Sequence, residues 1–273
     1  MLYALRADLY RALRFKLFYV LLAANVCAAL YGIFNIYNFH VNIDSGYGAY
    51  NVFLQGFGAN IAFVGILCAI AVSLFVGHDF GSGGVRRRTM AGCTRVSSYI
   101  SKLIVNGCMC LLIYLSYHLV NTAVGGLLMG WGNADLSDIL LRFAAGICMT
   151  LAYAAIFTAV SVFTKNSVAA LLTCLGLVAA AYVATYLLYI ELIGIYVADP
   201  SDLSNVVFVP SEWPEWMQRF GWLVIDGTPT GQALVLQQDA GSYCRFDHML
   251  YALGWVALSA VGGPFIFRRE ELK

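Results

Sequence analysis

Six long runs of the sequence contain no charged residue, and each is long enough to cross a membrane as a helix. A transmembrane helix needs about 20 predominantly apolar residues to span the hydrocarbon core of a bilayer. The runs cover residues 17–43, 45–78, 103–134, 143–164, 166–190 and 248–267. They predict an all-α polytopic membrane protein with six transmembrane helices.

The composition supports this class and excludes others. Hydrophobic residues make up 61% of the chain and charged residues 11%, against roughly half and about a quarter in soluble domains. A water-soluble globule, intrinsic disorder and a coiled coil are therefore excluded. An outer-membrane barrel is excluded as well, because its strands alternate in polarity whereas these runs are uniformly apolar.

The runs and the charges between them predict one transmembrane domain at 1–273. The expected segments are an N-terminal helix at 1–16, spans at 17–38, 56–77, 102–129, 139–164, 167–191 and 247–267, a loop at 78–101, an outer loop at 192–246 and a tail at 268–273. With the N-terminus inside, thirteen of the sixteen Lys and Arg residues lie on the cytoplasmic side. The positive-inside rule therefore predicts that both termini are cytoplasmic.

The N-terminal segment has the pattern of a helix that lies flat on a membrane. At 100° per residue, one stripe holds only leucines, while Arg11 and Arg14 lie on other faces. The stripe consists of Leu2, Leu5, Leu9 and Leu13. An interfacial helix with its basic side chains toward anionic headgroups is one interpretation, and a plain positively charged anchor is the other.

The loop at 78–101 holds the only run of three consecutive basic residues in the sequence, Arg86-Arg87-Arg88. We expect its glycines to end the second span and a short helix at 85–91 to follow, stopped by Gly92. Thr94 or Ser97 would cap the third span. A short basic helix between two spans is suited to docking a soluble partner. The alternative is an arginine cluster that only keeps the loop inside, and nucleic-acid binding is excluded because the loop is short and held at the membrane.

The outer loop contains three of the five tryptophans, and the sequence predicts a helix there. Ser211 is expected to cap a helix at 212–224. The residues expected on one face are Trp213, Trp216, Phe220 and Leu223. Such a face is typical of a helix in the membrane interface.

Two polar residues within the third predicted span, His118 and Asn121, share a helix face. Polar groups inside a membrane are costly and mark candidate sites. Interhelical hydrogen bonding is the first interpretation, and a proton relay is the alternative. The sequence contains no phosphate-binding loop, zinc-helix motif or nucleophile elbow, so we expect no catalytic residues and no metal site in this chain.

The predicted loop at 78–101 also carries a sequence motif. Gly77-x-Asp79-Phe80, a glycine-rich step, Val85-Arg86 and then Gly92-x-Thr94-Arg95 resemble the first cytoplasmic loop of ABC-2 type ABC transporter permeases. The likeness is to the small bacterial six-span subunits of bacitracin and lantibiotic self-protection exporters. Pro229-Thr230-Gly231-Gln232 ahead of the last span is a further similarity. Gly84 departs from the pattern, which has Thr or Ser there.

The resemblance implies an ABC-2, or type V, exporter fold with an N-terminal elbow helix, a coupling helix and short extracellular helices before the last span. It implies that the loop seats in a cytosolic ATPase through Asp79, Phe80, Val85, Arg86, Arg87, Arg88 and Arg95. It implies an outer gate at Trp213, Trp216, Phe220 and Trp222.

The resemblance also implies the partners. Two ATPase subunits would bind ATP and Mg²⁺, and a second permease copy or a homologous permease would complete the pore. An antimicrobial peptide, exported or extracted from the plasma membrane, is the cargo that it suggests. The alternative function is an ATP-independent secondary carrier or a structural membrane protein.

Overall fold

The computed structural model describes residues 2–43, 48–59, 63–90, 92–131, 135–199, 202–209, 211, 213–237 and 246–269. Apart from one hairpin, its regular elements are helices. The helices are α1 Leu2–Leu13, α2 Lys16–Ile43, α3 Ala49–Ala59, α4 Gly65–Gly81, α5 Gly84–Met90, α6 Arg95–Met129, α7 Leu136–Thr164, α8 Ser167–Ile193, α9 Glu215–Gly227, α10 Pro229–Leu236 and α11 Phe246–Arg269. The hairpin pairs β1 Ile195–Asp199 with β2 Asp202–Val209.

Within the part of the chain that the structure describes, four helices are long and apolar enough to cross a membrane. They are Lys16–Asn38 within α2, together with α6, α7 and α8. A fifth is added if α4 and α5, which bend by 58° at the break between them, are taken as one span. The chain is therefore an α-helical polytopic membrane protein.

The second predicted span, at 56–77, overlaps the end of α3, which ends at Ala59, and most of α4, which begins at Gly65. Positions 60–62 of this span lie outside the described residues. The prediction that the glycines of the following loop end this helix is confirmed, because α4 ends at Gly81 and Gly83 follows with a positive φ of 67°.

Polar side chains cap three of the long helices. Thr94 Oγ1 accepts a hydrogen bond from the Ser97 amide at 3.2 Å, so Thr94 is the cap of α6. Asp135 and Asn166 cap α7 and α8 in the same way. The backbone amide and hydroxyl of Ser137 donate to Asp135 and lower the pKa of its exposed carboxyl.

The core is built around α4, which packs against α6, α7 and α8. Small residues bring these helices close together, and many of those on α4 and α7 are fully buried. At Gly77, an added Cβ would lie 2.4 Å from the Ser167 Cα. Small residues at such crossings are typical of helix packing in membranes, where van der Waals contact drives association.

Residues 192–246, predicted to be an outer loop, contain a hairpin that was not expected. β1 and β2 pair antiparallel, with Ile195 opposite Val209 and Val197 opposite Val207. The two strands together hold four valines, one isoleucine, one tyrosine and one phenylalanine, a composition that favours strands over helix.

Candidate functional site at the α5 end of the bundle

Helix α5 follows α4 after a tight turn. The Ser82 amide donates to the His78 carbonyl at 3.0 Å, and Gly83 adopts a positive φ of 67°. The helix covers Gly84–Met90, one residue earlier than the predicted 85–91. Beyond it, the Cys93 amide donates to the Arg88 carbonyl at 3.0 Å, next to Gly92 with φ 85°.

Five charged side chains from four helices meet beneath α5. We call this group, Asp8, Arg11, Asp79, Arg88 and Lys102, the charge cluster. Arg88 Nη1 lies 2.7 Å from Asp8 Oδ1, and Arg88 also donates to Asp79. Lys102 donates to Asp79 and lies 3.9 Å from Asp8 Oδ1. Arg11 Nη1 lies 2.5 Å from Asp79 Oδ1.

Most of the charge cluster is removed from solvent. The side chains of Asp8, Asp79 and Lys102 are 0%, 1% and 1% exposed, and that of Arg88 is 14% exposed. Arg11, at the edge of the cluster, is 30% exposed. Two carboxylates face three cations, so the group carries one excess positive charge. Buried ion pairs of this kind are retained only where every charge is well partnered, since removing one partner is strongly destabilising.

Small residues allow the charge cluster to form. Ala4 and Ala12 are buried beside Asp8 on the face of α1 that packs against α6. The hydroxyl of Ser101 on α6 donates to the Asp8 carboxylate. At Gly84, an added Cβ would lie 2.2 Å from Asp79 Oδ1, so a glycine there leaves room for the carboxylate under α5.

The structure corrects part of the predicted docking surface. Asp79 is buried in the charge cluster, and Arg88 points toward it, so neither is presented to a partner. The physical reason is that each neutralises the other inside the bundle. Phe80 and Val85 pack against the hydrophobic core. The remaining predicted residues are outward: Arg86 and Arg87 are exposed and Arg95 is half-buried.

The predicted elbow residues divide between two faces of α1. Leu2, Leu9 and Leu13 are exposed, as expected for side chains that would contact lipid. Leu5 packs partly against the core. Arg11 joins the charge cluster rather than the membrane surface, and Arg14 lies 4.4 Å from the ring centroid of Tyr10.

At the opposite end of the bundle, the Pro229-Thr230-Gly231-Gln232 segment forms the first turn of α10, every residue of which is buried. The Gln232 side chain donates to the Asp226 carbonyl at 2.7 Å and to the His248 carbonyl at 2.9 Å. At Gly231 an added Cβ would lie 2.1 Å from the Ile225 carbonyl oxygen.

The predicted gate residues lie on α9 or just before it. Trp216 and Phe220 are exposed on one face, whereas Trp213 and Trp222 pack toward Leu192 and its neighbours. The predicted start of this helix is wrong, because α9 begins at Glu215 with Pro214 as its cap. Proline fits that position because its missing amide would be unpaired there anyway. Glu212 lies outside the described residues, as do positions 270–273 of the predicted tail.

His118 and Asn121 are both buried on α6. The His118 ring lies among aromatic rings, with centroids 4.4 Å from Tyr114 and 4.8 Å from Phe57. An added Cβ at Gly56 would lie 3.0 Å from Asn121 Nδ2, so α3 approaches α6 closely here. These contacts give both residues a packing role between the two helices.

Sequence reasoning missed Asp8 and the partners of Arg142. Arg142 is fully buried and donates from Nε to Asp138 and from Nη1 to the Leu236 carbonyl, both at 2.7 Å. The hydroxyl of Tyr50 donates to the same Asp138 carboxylate at 2.6 Å. A signal existed for Asp8, which is the only acid among the first sixteen residues. For Arg142, a signal existed for Asp138, which stands four positions earlier at the spacing of a helical ion pair, whereas the contact with Leu236 joins positions 94 apart and left no local pattern.

Among the residues that the structure describes, no group of three or more His, Cys, Asp or Glu side chains is arranged to hold a metal ion. A scan against protein-family models found no matching family, and a search of curated proteins found no significant match. The fold and this end of the bundle define a multi-pass helical membrane protein with a short basic helix anchored on a buried ionic group.

Proposed function

We propose that the chain is the membrane-spanning permease subunit of an ATP-driven exporter of the ABC-2 class. The observation that carries the proposal is the two-sided character of α5. Its outward face presents Arg86 and Arg87, while its inward face is tied to the bundle through Arg88. A soluble ATPase bound to the outward face would therefore act on a helix that is held to the long helices by its inward face.

The charge cluster supplies the mechanical link in this proposal. Through it, α5 contacts Asp8 on α1, Asp79 on α4 and Lys102 on α6 by way of shared carboxylates. A displacement of α5 would therefore be transmitted to the N-terminal helix and to two long helices together, instead of being absorbed by a loose loop. Closure of two ATPases on ATP would supply that displacement.

In the proposed topology there are six spans and the α5 end is cytoplasmic. α11 would be the sixth span, since its 24 residues extend about 36 Å at 1.5 Å per residue. The basic residues of α1, α5 and the start of α6 lie at the same end of the bundle, as the positive-inside rule requires of the cytoplasmic face. The exposed leucines of α1 would then rest in the inner leaflet as an elbow helix.

The proposed assembly contains two cytosolic ATPase subunits, which bind ATP and Mg²⁺, and a second permease copy or homologue. The exposed aromatic face of α9 would sit in the outer interface and form part of an outer gate. An exported or membrane-extracted substrate of the antimicrobial-peptide type is the proposed cargo. The proposed location is a bacterial plasma membrane.

The proposal is tested by affinity purification of the tagged chain from its native membranes, followed by mass spectrometry. We expect a stoichiometric ATPase with phosphate-binding motifs to co-purify. The double substitution Arg86→Glu/Arg87→Glu should then lower both ATPase retention and stimulation of its activity. The matched control is Arg6→Glu/Arg14→Glu, which reverses one exposed arginine on α1 and one directly after it and should leave retention unchanged.

Two results would contradict the proposal. One is the absence of any ATPase after gentle solubilisation, which would favour the ATP-independent carrier or structural protein. The other is equal ATPase retention by the Arg86→Glu/Arg87→Glu variant and the control, which would show that α5 is not the docking helix.

A further inference from the structure

A cavity lined by both polar and apolar side chains opens between α2, α3 and α6, at the end of the bundle far from α5. Its volume is about 350 Å³, within the range of roughly 300–1,000 Å³ typical of ligand sites. Asn35, on its wall, lies 19 residues after Lys16 on α2, or about 28 Å along the helix. The cavity is therefore near the far edge of a hydrocarbon layer that begins at the α5 end.

The polar groups of the cavity are uncharged. Its wall carries four carboxamides and one hydroxyl, from Asn35, Gln55, Asn121, Gln237 and Tyr117. No charged side chain occurs among the described residues that line it. Each carboxamide offers two N–H donors and an acceptor oxygen. Asn35 and Gln55 are exposed, so their carboxamides are available to pair with a ligand or with water.

The surroundings of the cavity point to the bilayer as the source of its ligand. On α2, the neighbours of Asn35 include Tyr31 and Phe34, which are 70% and 61% exposed. Exposed aromatic side chains at the end of a span are typical of the membrane interface. Val52 and Ile36 add apolar wall beside the carboxamides. A ligand with a polar head and an apolar part would match the carboxamides and the apolar wall of the cavity, respectively.

We propose that this cavity binds an uncharged lipid whose headgroup carries several hydroxyl groups, such as a glycosyl diacylglycerol. Adjacent hydroxyls both donate and accept, so they pair with carboxamides in either direction. A phosphate group would be desolvated here with no cation from the lining residues to compensate it. The inference rests on the cavity and on its place near the membrane interface, and it holds whether or not the chain is an exporter.

Gly32 provides a direct way to fill the cavity. An added Cβ at Gly32 meets only the Tyr117 hydroxyl, at 3.9 Å, so a larger side chain there extends into the open space. Gly176 on α8 is a matched control, because nothing lies within 4 Å of its added Cβ and it is remote from the cavity.

The test is native mass spectrometry of the purified, detergent-solubilised chain with three added lipids. These are monoglucosyl diacylglycerol, dioleoylglycerol and dioleoylphosphatidylglycerol. We expect the glucolipid to be retained in preference to the other two. Gly32→Phe should abolish this preference and Gly176→Phe should preserve it. Asn35→Leu/Gln55→Met, which keeps side-chain size at two exposed positions, should weaken glucolipid retention about fivefold, equivalent to about 1 kcal/mol or one neutral hydrogen bond.

Three results would overturn the inference. The first is equal retention of glucolipid and phosphatidylglycerol. The second is a glucolipid preference unchanged in both Gly32→Phe and Asn35→Leu/Gln55→Met, and if Gly32→Phe does not elute as folded protein, the second variant decides alone. The third is displacement of the glucolipid by the uncharged peptide N-acetyl-trileucine amide at equal concentration, which would assign the cavity to a peptide.

Discussion

Nη1 of Arg88 lies 2.7 Å from Oδ1 of Asp8, which joins the short helix α5 to the N-terminal helix across 80 positions of sequence. The same Asp8 carboxylate accepts a hydrogen bond from the Ser101 hydroxyl on α6. One buried side chain thus holds three helices together. The buried side of α5 therefore connects helices to one another, and only the outer surface of α5 is available to a partner.

The first prediction concerns the balance of charge in the charge cluster. Asp79→Asn leaves Arg88, Arg11 and Lys102 with Asp8 as the only carboxylate of the charge cluster. Because a buried charge then loses its partner, we expect the free energy of unfolding to fall by about 3–5 kcal/mol. The measurement is thermal unfolding in detergent. Asp135→Asn is the control, since Asp135 is exposed and Asn caps a helix equally well.

A double variant tests whether Asp79 and Lys102 stabilise the protein as a pair. Lys102→Met combined with Asp79→Asn removes one charge of each sign and restores the original net charge of the cluster. We expect the double variant to lose less stability than the two single variants summed, because the residues are coupled. Strictly additive losses would show that Lys102 and Asp79 contribute independently, contrary to the contact between them.

The turn between α9 and α10 gives another prediction. Gly231→Ala would place a methyl group 2.1 Å from the Ile225 carbonyl oxygen, a rigid backbone atom. We expect α10 to be displaced and the two hydrogen bonds of Gln232 to be lost, which faster proteolysis at 225–237 would report. Gly227→Ala has nothing within 4 Å of its added Cβ and should behave as wild type. Equal resistance of both variants would contradict the observed packing.

Fluorescence quenching can test whether the exposed face of α9 contacts lipid. Trp216 is 70% exposed, and its position beside Phe220 leads us to expect that it contacts lipid. In vesicles containing brominated lipids, the Trp216→Phe variant should lose more of the quenchable fluorescence than the Trp213→Phe variant, because Trp213 packs against protein. A larger loss from Trp213→Phe would mean that this face of α9 is turned away from the bilayer.

Much of the helical framework could be predicted from the sequence. Charge-free runs indicate α6, α7 and α8, and the polar residues between them mark the ends, since Thr94, Asp135 and Asn166 are all caps. These features are local and act through helix length and unpaired backbone amides. They need no knowledge of which helices become neighbours.

The interior contacts could not be predicted in the same way. Asp79 was expected on a docking surface, yet it is buried because Lys102 and Arg88 neutralise it from other helices. A charged residue at the end of an apolar run has the same local pattern whether it faces water or an opposite charge.

The final prediction concerns Gly84, where the resembled permeases have Thr or Ser. Gly84→Ser would place its Cβ 2.2 Å from the Asp79 carboxylate. Because that carboxylate is held by Arg88, Lys102 and Arg11, we expect α5 to be pushed outward and residues 84–90 to exchange amide hydrogens faster. Gly81→Ser is the control, since nothing lies within 4 Å of an added Cβ there.

Removal of the obstructing carboxylate separates this cause from a general effect of serine on α5. Asp79→Ala is destabilising by itself for the reasons given above. It also vacates the space that a Gly84 side chain would enter. We therefore expect the exchange of 84–90 to be accelerated less by Gly84→Ser in the Asp79→Ala background than in the wild type. An equal acceleration in both backgrounds would show that glycine acts through backbone conformation, and that the room it leaves for Asp79 is incidental.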